Sequence, residues 1–509
     1  MTITPSLLYN YLQCPHRVWR DKYGPQAEKS QETNPFVEML WNKGIQHEKK
    51  VVSKLGELTD ISEGSYDERF DMTVERMKNG ASLIYQGVIK HDDLFGIPDL
   101  LKKMPDGDYI PIDIKSGMAL SGVDEEKGDE GKPKKHYAVQ LCSYADVLYN
   151  LGFSKQKRGK IIDAGLNEVE FDLLAPRGPR TPETYWQLYE RIRNNVSLLI
   201  TNQEKNYPAM QGVCKFCPWY ESCKKWVEKT HDLSGLFCVG RRVRDALNDN
   251  LHIHKIEEVL DIDIESIMEE KKRDKQFLKG IGEPSLKKIV RRAQIFYKTG
   301  KPVLYESITF PEVSYELFFD IENDPTQEFV YLHGIYERHN GQERFLDFTA
   351  TELTPEAEKE AWRKFWEYID SLPQNDYAVY YYSAHEKTTY KKLQKLYPDI
   401  ISAGKVEKFF ENPAVIDLYN DIIQRQTDWP LGSYGIKAIA QYLGFHWRDE
   451  TPSGALSIQW FNKYLEDKDP AELQRILDYN EDDCKAMMVL KDALQVPGKA
   501  DPLFTLFNR

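Results

Sequence analysis

Apolar and polar residues alternate in two separate parts of the chain, and helical spacing follows each part. The first part, SLIYQGVIKHDDLFGIPDLL and DYIPIDIKSG, predicts strands over residues 80–115. The second part, VSYELFFDIE, FVYLHGIYE and RFLDFTA, predicts strands over the last third of the chain. Helical spacing follows in HYAVQLCSYADVLYNLG and in EAEKEAWRKFWEYIDSL. Strands followed by crossover helices indicate α/β folds in both parts.

The pattern of the remaining segments divides the chain into three predicted domains. Helical spacing occurs in residues 1–60 and about 181–203, and a hairpin is predicted for RGKIIDAGLNEVEFDLL. We expect a small helical segment over residues 235–300. The stretch 121–136 is rich in glycine and charge without periodicity, so we expect a mobile loop there. The predicted domains are residues 1–230, 235–305 and 310–509.

Composition supports a multidomain globular protein. The 509 residues are 41% hydrophobic and 29% charged, which excludes wholesale disorder, collagen-like repeats and a membrane bundle. No apolar run approaches the roughly 18–20 residues of a membrane-spanning helix, so we expect no membrane partner. The first residues lack the basic and apolar regions of a signal peptide, so a cytoplasmic location is expected.

The charge is uneven along the chain. The net charge of −13 argues against a protein that coats nucleic acid by bulk attraction. Residues 271–301 nevertheless hold eleven Lys and Arg against two Asp and Glu. Such an island is either a solvated helical face or a phosphate-binding surface.

Four of the seven cysteines form a pattern. VCKFCPWYESC spaces Cys214, Cys217 and Cys223 as C-x2-C-x5-C, and Cys14 lies near the start of the chain in LQCPHRVW. In a reducing compartment, clustered thiols favour metal or iron–sulfur ligation over disulfides. Spacing alone does not separate structural zinc from a [4Fe–4S] cluster.

A first candidate site lies in the first set of strands. Asp113 and Lys115 in IPIDIKSG are two residues apart, so on a strand their side chains share one face. A hairpin partner carrying Asp99 would add a second carboxylate, and two carboxylates can hold Mg²⁺ or Mn²⁺. The D-x-K pair alone is also compatible with an exposed hairpin. His47 on an upstream helix, and Gln140 and Tyr144 one helical turn apart, favour a site.

Together these residues resemble the RecB-type PD-(D/E)xK nucleases, specifically the subgroup with one cysteine near the N-terminus and three beyond the core. This subgroup includes CRISPR-associated and AddB-type iron–sulfur nucleases. The resemblance covers roughly residues 1–225 and implies a restriction-endonuclease-like core. It implies catalytic roles for His47, Asp99, Asp113, Lys115, Gln140 and Tyr144, with His47, Asp99 and Asp113 on the metal. It also implies a [4Fe–4S] cluster, with zinc as the alternative, on Cys14, Cys214, Cys217 and Cys223.

A second candidate site lies near residue 320. Asp320 and Glu322 end the strand YELFFDIE, where a spacing of two places both carboxylates on one side. Tyr479 and Asp483 are four residues apart on a predicted helix. Each pair alone is common by chance.

The order of these motifs resembles the DnaQ-like exonucleases of the RNase H superfamily over about residues 313–495. The resemblance implies a two-metal site on Asp320, Glu322, Glu386 and Asp483, with Tyr479 orienting the attacking water. Glu386 departs from the family's usual Asp. Asp417 is a possible substitute ligand, although its strand end is predicted to face solvent.

The connector LKGIGEPSLKKI matches a helix-hairpin-helix pattern. Gly280 and Gly282 permit a tight turn whose backbone N–H groups approach a phosphate. An ordinary helical linker is the alternative. The cations expected to assist DNA binding are Lys287, Lys288, Arg291 and Arg292.

The sequence as a whole resembles predicted RecB-type nucleases with an appended RNase H-like domain. The implied function is metal-dependent hydrolysis of DNA with free ends or single-stranded character, in DNA repair or defence. The alternatives are a nucleic-acid-binding scaffold with an inactive site, and RNA processing by the last domain. Protein partners are not indicated.

Overall fold

The computed structural model describes residues 2–32, 34–124, 129–178, 181–450 and 452–495. The chain forms two compact units, Met1–Pro208 with Gly212–Cys223, and Ala209–Gln211 with Lys224–Arg509. Helices and sheets occur in both units. The predicted multidomain α/β class is confirmed.

Helices precede and flank the strands of the first unit. The helices are α1 (Pro5–Gln13), α2 (Pro15–Tyr23), α3 (Pro35–Val52), α4 (Tyr66–Lys78), α5 (Lys135–Asn150), α6 (Tyr185–Ile200) and α7 (Tyr220–Thr230), the last of which ends in the second unit. The strands are β1 (Thr59–Asp60), β2 (Leu83–Tyr85), β3 (Ile89–His91), β4 (Leu94–Gly96), β5 (Leu100–Lys103), β6 (Tyr109–Ile114), β7 (Leu120–Asp124), β8 (Asp129–Pro133), β9 (Arg158–Ile162), β10 (Glu168–Asp172), β11 (Pro176–Gly178) and β12 (Thr181–Thr184).

A six-stranded sheet in the order β1-β2-β5-β6-β9-β10 organises this unit. Strand β6 is buried along its whole length, with β5 antiparallel on one side and β9 parallel on the other. Helix α5 connects β6 to β9 and packs on both strands. Asp99 directly precedes β5 and Asp113 lies in β6, so the predicted hairpin is confirmed.

The prediction of a loop over residues 121–136 is wrong for most of that stretch. Strands β7 and β8 pair antiparallel there, and α5 begins at Lys135. The ladder bonds come from the backbone, so two strands can pair without the alternation that sequence patterns detect. Residues 125–128 of the predicted loop lie outside the described residues.

The second unit begins with helices and continues into a sheet. Its helices after α7 are α8 (Arg241–Leu251), α9 (Ile264–Arg273), α10 (Glu283–Ala293), α11 (Pro355–Ser371), α12 (His385–Leu396), α13 (Ala403–Glu411), α14 (Gln424–Gln426), α15 (Ile436–Tyr442), α16 (Gly454–Asp467) and α17 (Pro470–Leu494). Its strands are β13 (Val303–Leu304), β14 (Tyr315–Asp324), β15 (Phe329–His339), β16 (Gln342–Thr349), β17 (Tyr377–Tyr381), β18 (Val415–Asp417) and β19 (Thr427–Asp428).

Five strands form the central sheet in the order β16-β15-β14-β17-β18. The first three are antiparallel, while β17 and β18 are parallel to β14, as the predicted crossovers require. Side chains of β14 alternate between two apolar clusters. Leu317 and Phe319 pack with Trp362 of α11, and Phe318 packs with Met487 of α17. Helix α17 therefore covers the face of β14 that carries Asp320 and Glu322.

A buried ion pair joins the helical segment to the rest of the second unit. The Arg292 side chain is 1% exposed and donates to Asp428, which is 0% exposed, at 2.5 Å. Arg291 and the Tyr305 hydroxyl also donate to Asp428. The Arg292 guanidinium lies 4.8 Å from the ring centroid of Tyr434. These contacts hold α10 against β19.

Among the described residues, no helix is long and apolar enough to cross a membrane.

Arg292→Met should destabilise the second unit by about 3–5 kcal/mol, because it leaves Asp428 buried with one fewer charged donor. Arg291→Met is the matched control, since the Arg291 side chain is 45% exposed. Chemical unfolding followed by tryptophan fluorescence measures both variants. Equal losses for the two variants would contradict the importance of burial at Arg292.

Candidate active sites

Three carboxylates meet at the end of β14. Single ligand oxygens of Asp320, Glu322 and Asp483 all lie within 4.8 Å of one another. Asp320 and Glu322 share a face because they are two residues apart on the strand, and α17 brings Asp483 to that face. Hard divalent cations prefer such oxygen ligands, so the donor set fits Mg²⁺ or Mn²⁺.

Burial and mutual repulsion make these carboxylates hard to ionise. Burial raises the pKa of Asp320 well above its usual range, and the charges of Asp483, Glu322 and Glu386 raise it further. Burial and the charge of Asp483 raise the pKa of Glu322 to about 8. Burial also raises the pKa of Asp483, whereas the Lys437 ammonium opposes this shift. A cation at this position would relieve the repulsion.

Glu386 is outside the group of ligand atoms that lie within 4.8 Å of one another among the described residues, but its charge contributes to the raised pKa of Asp320. It occupies the first turn of α12, directly after β17, and its side chain is buried. Among the described residues, its Oε2 has no hydrogen-bond partner. Burial raises its pKa well above the usual range, and the charge of Asp417 adds to the shift. A buried carboxylate oxygen without a donor suits a cation ligand, so the longer side chain does not exclude Glu386.

Asp417 is buried, contrary to the prediction of a solvent-facing strand end. Its carboxylate accepts hydrogen bonds from the backbone N–H groups of Ser383 and Asn420 and from the Asn420 side chain. Strand β18 lies at the edge of the sheet, but the following turn covers its end. These donors give Asp417 a structural role.

Tyr479 is held between a cation and a carboxylate. Lys437 of α15 donates to the Tyr479 hydroxyl at 2.7 Å and to the backbone oxygen of Pro452 at 2.8 Å. Burial raises the pKa of Tyr479 well above its usual range, and the charge of Asp483 adds to the shift. The Trp447 indole N–H donates to Asp483 Oδ1 at 2.7 Å. The phenol oxygen is therefore fixed beside the carboxylates.

Asn480 is a further residue of this site that the motif analysis missed. Its amide Nδ2 donates to Asp320 Oδ2 at 2.8 Å and is buried. The amide fits because Gly334, opposite Asp320 on β15, has no side chain. A Cβ at Gly334 would lie 1.7 Å from Asn480 Oδ1. The sequence held one indication of this role, because Asn480 directly follows the predicted site residue Tyr479 in LDYNEDD.

The first unit brings Asp99, Asp113 and Lys115 together as predicted from the hairpin. Lys115 Nζ lies 3.0 Å from Asp113 Oδ2, and Asp99 Oδ2 accepts the Ile114 backbone N–H at 2.7 Å. Burial and the charge of Asp113 raise the pKa of Asp99 to about 8. Burial opposes the charge of Lys115, but Asp113 and Asp99 outweigh it and raise the Lys115 pKa.

His47 does not join these carboxylates in the structure, whereas its neighbour Glu48 does. His47 Nε2 lies 3.1 Å from the backbone oxygen of Asp163. Glu48 Oε1 accepts hydrogen bonds from Tyr85 and Gln86, and the Gln86 amide also reaches Asp99 Oδ1 at 3.3 Å. One helical position separates His47 from Glu48, so a motif match could not decide which side chain points inward.

Gln140 and Tyr144 share a face of α5, as their spacing predicts. The Gln140 amide donates to the Tyr144 hydroxyl at 3.1 Å, and that hydroxyl donates to the backbone oxygen of Ile97 at 3.3 Å. Burial raises the pKa of Tyr144 well above its usual range, and the charge of Asp113 contributes. Tyr144 therefore lies near the carboxylates.

The pKa of Cys223 depends on the other three cysteines of the pattern. Burial raises the pKa of Cys223 to about 12, and the charges of Cys217, Cys14 and Cys214 contribute to the shift. Nearby, the Arg20 guanidinium of α2 lies 4.4 Å from the Trp219 ring, whose N–H donates to Asp21. Direct side-chain contacts thus join the start of the chain to the cysteine-rich segment.

The connector residues differ in their access to a ligand. Arg292 is buried on Asp428, so its predicted contact with DNA is wrong. Arg291 is partly exposed but also donates to Asp428, and the exposed Lys287 pairs with Glu283 at 2.8 Å. Lys288 is half-buried. A count of cations along the sequence could not show which of them pair with Glu283 or Asp428 in the folded protein.

The turn that precedes α10 follows the predicted glycine pattern. Gly280 is exposed with a φ of +79°, a left-handed conformation that favours glycine. Gly282 is the N-cap of α10. The turn lies between α9 and α10, an arrangement that both the helix-hairpin-helix prediction and its alternative, an ordinary helical linker, allow.

Residues 317–495 match the family model of the RNase_H superfamily. The second unit therefore contains an RNase H superfamily domain, and the three clustered carboxylates lie within it. No curated protein and no solved structure matches the chain.

Binding of Mn²⁺ to the second unit should strengthen as pH rises towards 8. Glu322 has a pKa of about 8, so below that pH a cation must displace its proton. We expect the Kd to fall about tenfold per pH unit for each proton displaced. Titration calorimetry of Asp99→Asn protein, in buffers of different ionisation enthalpy, measures the affinity and the proton release. Glu322→Gln should remove part of the pH dependence; an unchanged slope would contradict the assignment.

Gly334→Ala should weaken Mn²⁺ binding about 10–100-fold, as expected when a hydrogen-bond partner of a metal ligand is displaced. The added methyl would clash with Asn480 and move its amide from Asp320. Asn480→Ala should have a similar effect, and the double variant should lose little more. Gly404→Ala is the control because its Cβ would meet open space. Additive losses would contradict the shared mechanism.

Proposed function

We propose that this protein is a metal-dependent nuclease that hydrolyses phosphodiester bonds of DNA, at free ends or in single strands. The observation that carries the proposal is the cluster of Asp320, Glu322 and Asp483 inside an RNase H superfamily domain. A solvated surface would separate three like charges, so their burial together favours a catalytic or binding role. DNA repair and defence against foreign DNA are the settings in which such an enzyme would act.

The residues of the second site suit in-line hydrolysis. Divalent cations held there would stabilise charge on the attacking and leaving oxygens. Asp320, Glu322, Asp483 and Glu386 supply the ligands. The Tyr479 hydroxyl, fixed by Lys437, would orient a water whose oxygen attacks phosphorus while the bond from phosphorus to the leaving oxygen breaks. Asn480 would keep Asp320 in the ligand position.

The first unit would provide a second hydrolytic site of the RecB type. Asp99 and Asp113 offer carboxylates to a cation, and Lys115 lies close enough to steady charge on the phosphate. Glu48 is a candidate third carboxylate because Gln86 links it to Asp99. His47 would need to move from Asp163 to act as the predicted ligand.

The four cysteines are proposed to hold a [4Fe–4S] cluster. Burial raises the pKa of Cys223, and the charges of Cys217, Cys14 and Cys214 add to the shift, which supports one shared site for the four thiols. Four thiolates suit structural zinc or a [4Fe–4S] cluster, and the resemblance to iron–sulfur nucleases favours the cluster. The cluster would reinforce the contacts between α2 and the cysteine-rich segment.

The connector is proposed to contact the sugar–phosphate backbone. Gly280 and Gly282 would allow a close approach, and Lys287, Lys288 and Arg291 would add charge. Such contacts position the strand without selecting its sequence.

Lys115→Ala and Asp320→Ala should each remove one component of Mg²⁺- or Mn²⁺-dependent cleavage, and the double variant should retain none. Labelled single- and double-stranded DNA, and RNA of the same sequence, report substrate and polarity. Lys102→Ala, an exposed lysine on neighbouring β5, is the control. Binding without cleavage would indicate a scaffold, and cleavage of RNA alone would indicate RNA processing; either result would contradict the proposal.

Anaerobically purified protein should be brown and contain about four iron atoms per chain. Cys217→Ala should lose the colour and lower the melting temperature of the first unit, because metal binding and folding are coupled. Cys238→Ala is the control, since Cys238 lies outside the pattern. Stoichiometric zinc without iron would contradict the cluster assignment.

A further inference from the structure

A cationic cavity lies beside the first site. Its volume is about 440 Å³. The residues that line it are Ser121, Lys132, Pro133, Lys134, Lys135, His136, Arg177 and Tyr185. The hairpin β7–β8 supplies one wall and the first turn of α5 another, so the segment first expected to be a loop helps to build the cavity.

No carboxylate lines this cavity in the described part of the chain. Arg177 forms an ion pair with Glu183, but none of the three lysines has a carboxylate within 4.0 Å among the described residues. A second cavity, of about 490 Å³, has Asp71 and Glu75 beside Lys78. Among the described residues, the lining of the cationic cavity therefore carries more positive charge than the lining of the second cavity.

The position of these lysines is unfavourable for the isolated helix. Helix α5 has Lys134 at its N-cap, no capping side chain and no acidic residue in its first turn. The N-terminus of a helix carries partial positive charge, so cations there cost stability and anions restore it. Burial and the charges of Lys134, Lys115 and Lys135 lower the pKa of His136 to about 4. The positive potential therefore extends to Lys115.

The cavity and the first site lie along the same helix. The ammonium groups of Lys115 and Lys134 lie 5.9 Å and 5.6 Å from the Tyr137 ring centroid, respectively. Further along α5, Tyr144 lies near Asp113. A chain of negative groups that reached Asp113 could thus continue past Tyr137 into the cavity.

We propose that this cavity binds the phosphodiester backbone of the strand that is cleaved at Asp99, Asp113 and Lys115. The proposal rests on the proposed function of the first unit and adds the place where the strand continues. Phosphates there would neutralise the lysines and occupy the positive end of α5. The contacts involve no base, so the cavity would hold DNA and RNA backbones alike.

The test is Lys134→Ala/Lys135→Ala in the full-length protein. Fluorescence anisotropy with labelled single-stranded DNA and RNA, in EDTA over a range of KCl concentrations, measures binding without cleavage. We expect a Kd increase of at least tenfold at low salt. We also expect a salt slope lower by about 0.7 for each phosphate that the variant no longer neutralises. Lys78→Ala, in the second cavity, should change neither quantity.

Thermal stability separates binding from structure. Removal of cations from a helix N-terminus should leave the melting temperature unchanged or raise it, so weaker binding with an unchanged or higher melting temperature supports the proposal. An unchanged Kd and salt slope would overturn it, as would a fall in melting temperature that accounts for the weaker binding.

The outcome is distinguishable from failure of the proposed function. Absence of cleavage by the wild-type protein would contradict the nuclease, while the binding measurement would still decide the cavity. Cleavage with a KM unchanged by the double substitution would leave the nuclease standing and reject the cavity.

Discussion

Repulsion between buried carboxylates is the constraint on which the second site depends. The sheet and α17 place Asp320, Glu322 and Asp483 within 4.8 Å, where burial disfavours their charges. Two groups offset part of this cost. The Asn480 amide donates to Asp320, and the charge of Lys437, whose ammonium donates to Tyr479, opposes the rise in the pKa of Asp483. The three carboxylates are thus held together by the fold itself, and a bound cation would balance their charge.

The two units bring carboxylates together on different frameworks. In the first unit a hairpin aligns Asp99 with Asp113, and Lys115 supplies the opposing charge. In the second unit one strand supplies two carboxylates and a distant helix supplies the third. Both use the alternation of a strand to project two groups to one face. In each, the rigid element is a buried strand, which suits a site that must hold ligand positions closely.

Local spacing predicted what lies within one element. The spacing of two correctly placed Asp113 with Lys115 and Asp320 with Glu322. The spacing of four placed Tyr479 near Asp483 on α17. Contacts between distant elements were not predictable, because Lys437 reaches Tyr479 only when α15 packs on α17. The prediction for Arg292 failed for the same reason. Its charge indicated an exposed, DNA-binding side chain, but Arg292 is buried in an ion pair with Asp428, which lies 136 positions later in the chain. The β7–β8 hairpin was not predicted, because its strands pair through backbone hydrogen bonds and lack the alternation of apolar and polar residues.

If Asp320, Glu322 and Asp483 repel one another until a divalent cation binds, the melting temperature should respond to the charge of Asp320 and to the metal. We would therefore compare the melting temperatures of wild-type and Asp320→Asn protein, in EDTA and in Mn²⁺. In alkaline buffer, where the Asp320 carboxyl is ionised, the neutral isostere should melt at a higher temperature than wild type in EDTA, because it removes one charge from the cluster. It should also lose most of the stabilisation that Mn²⁺ gives to the wild-type protein. A variant that melts lower in EDTA and keeps its Mn²⁺ response would contradict the account.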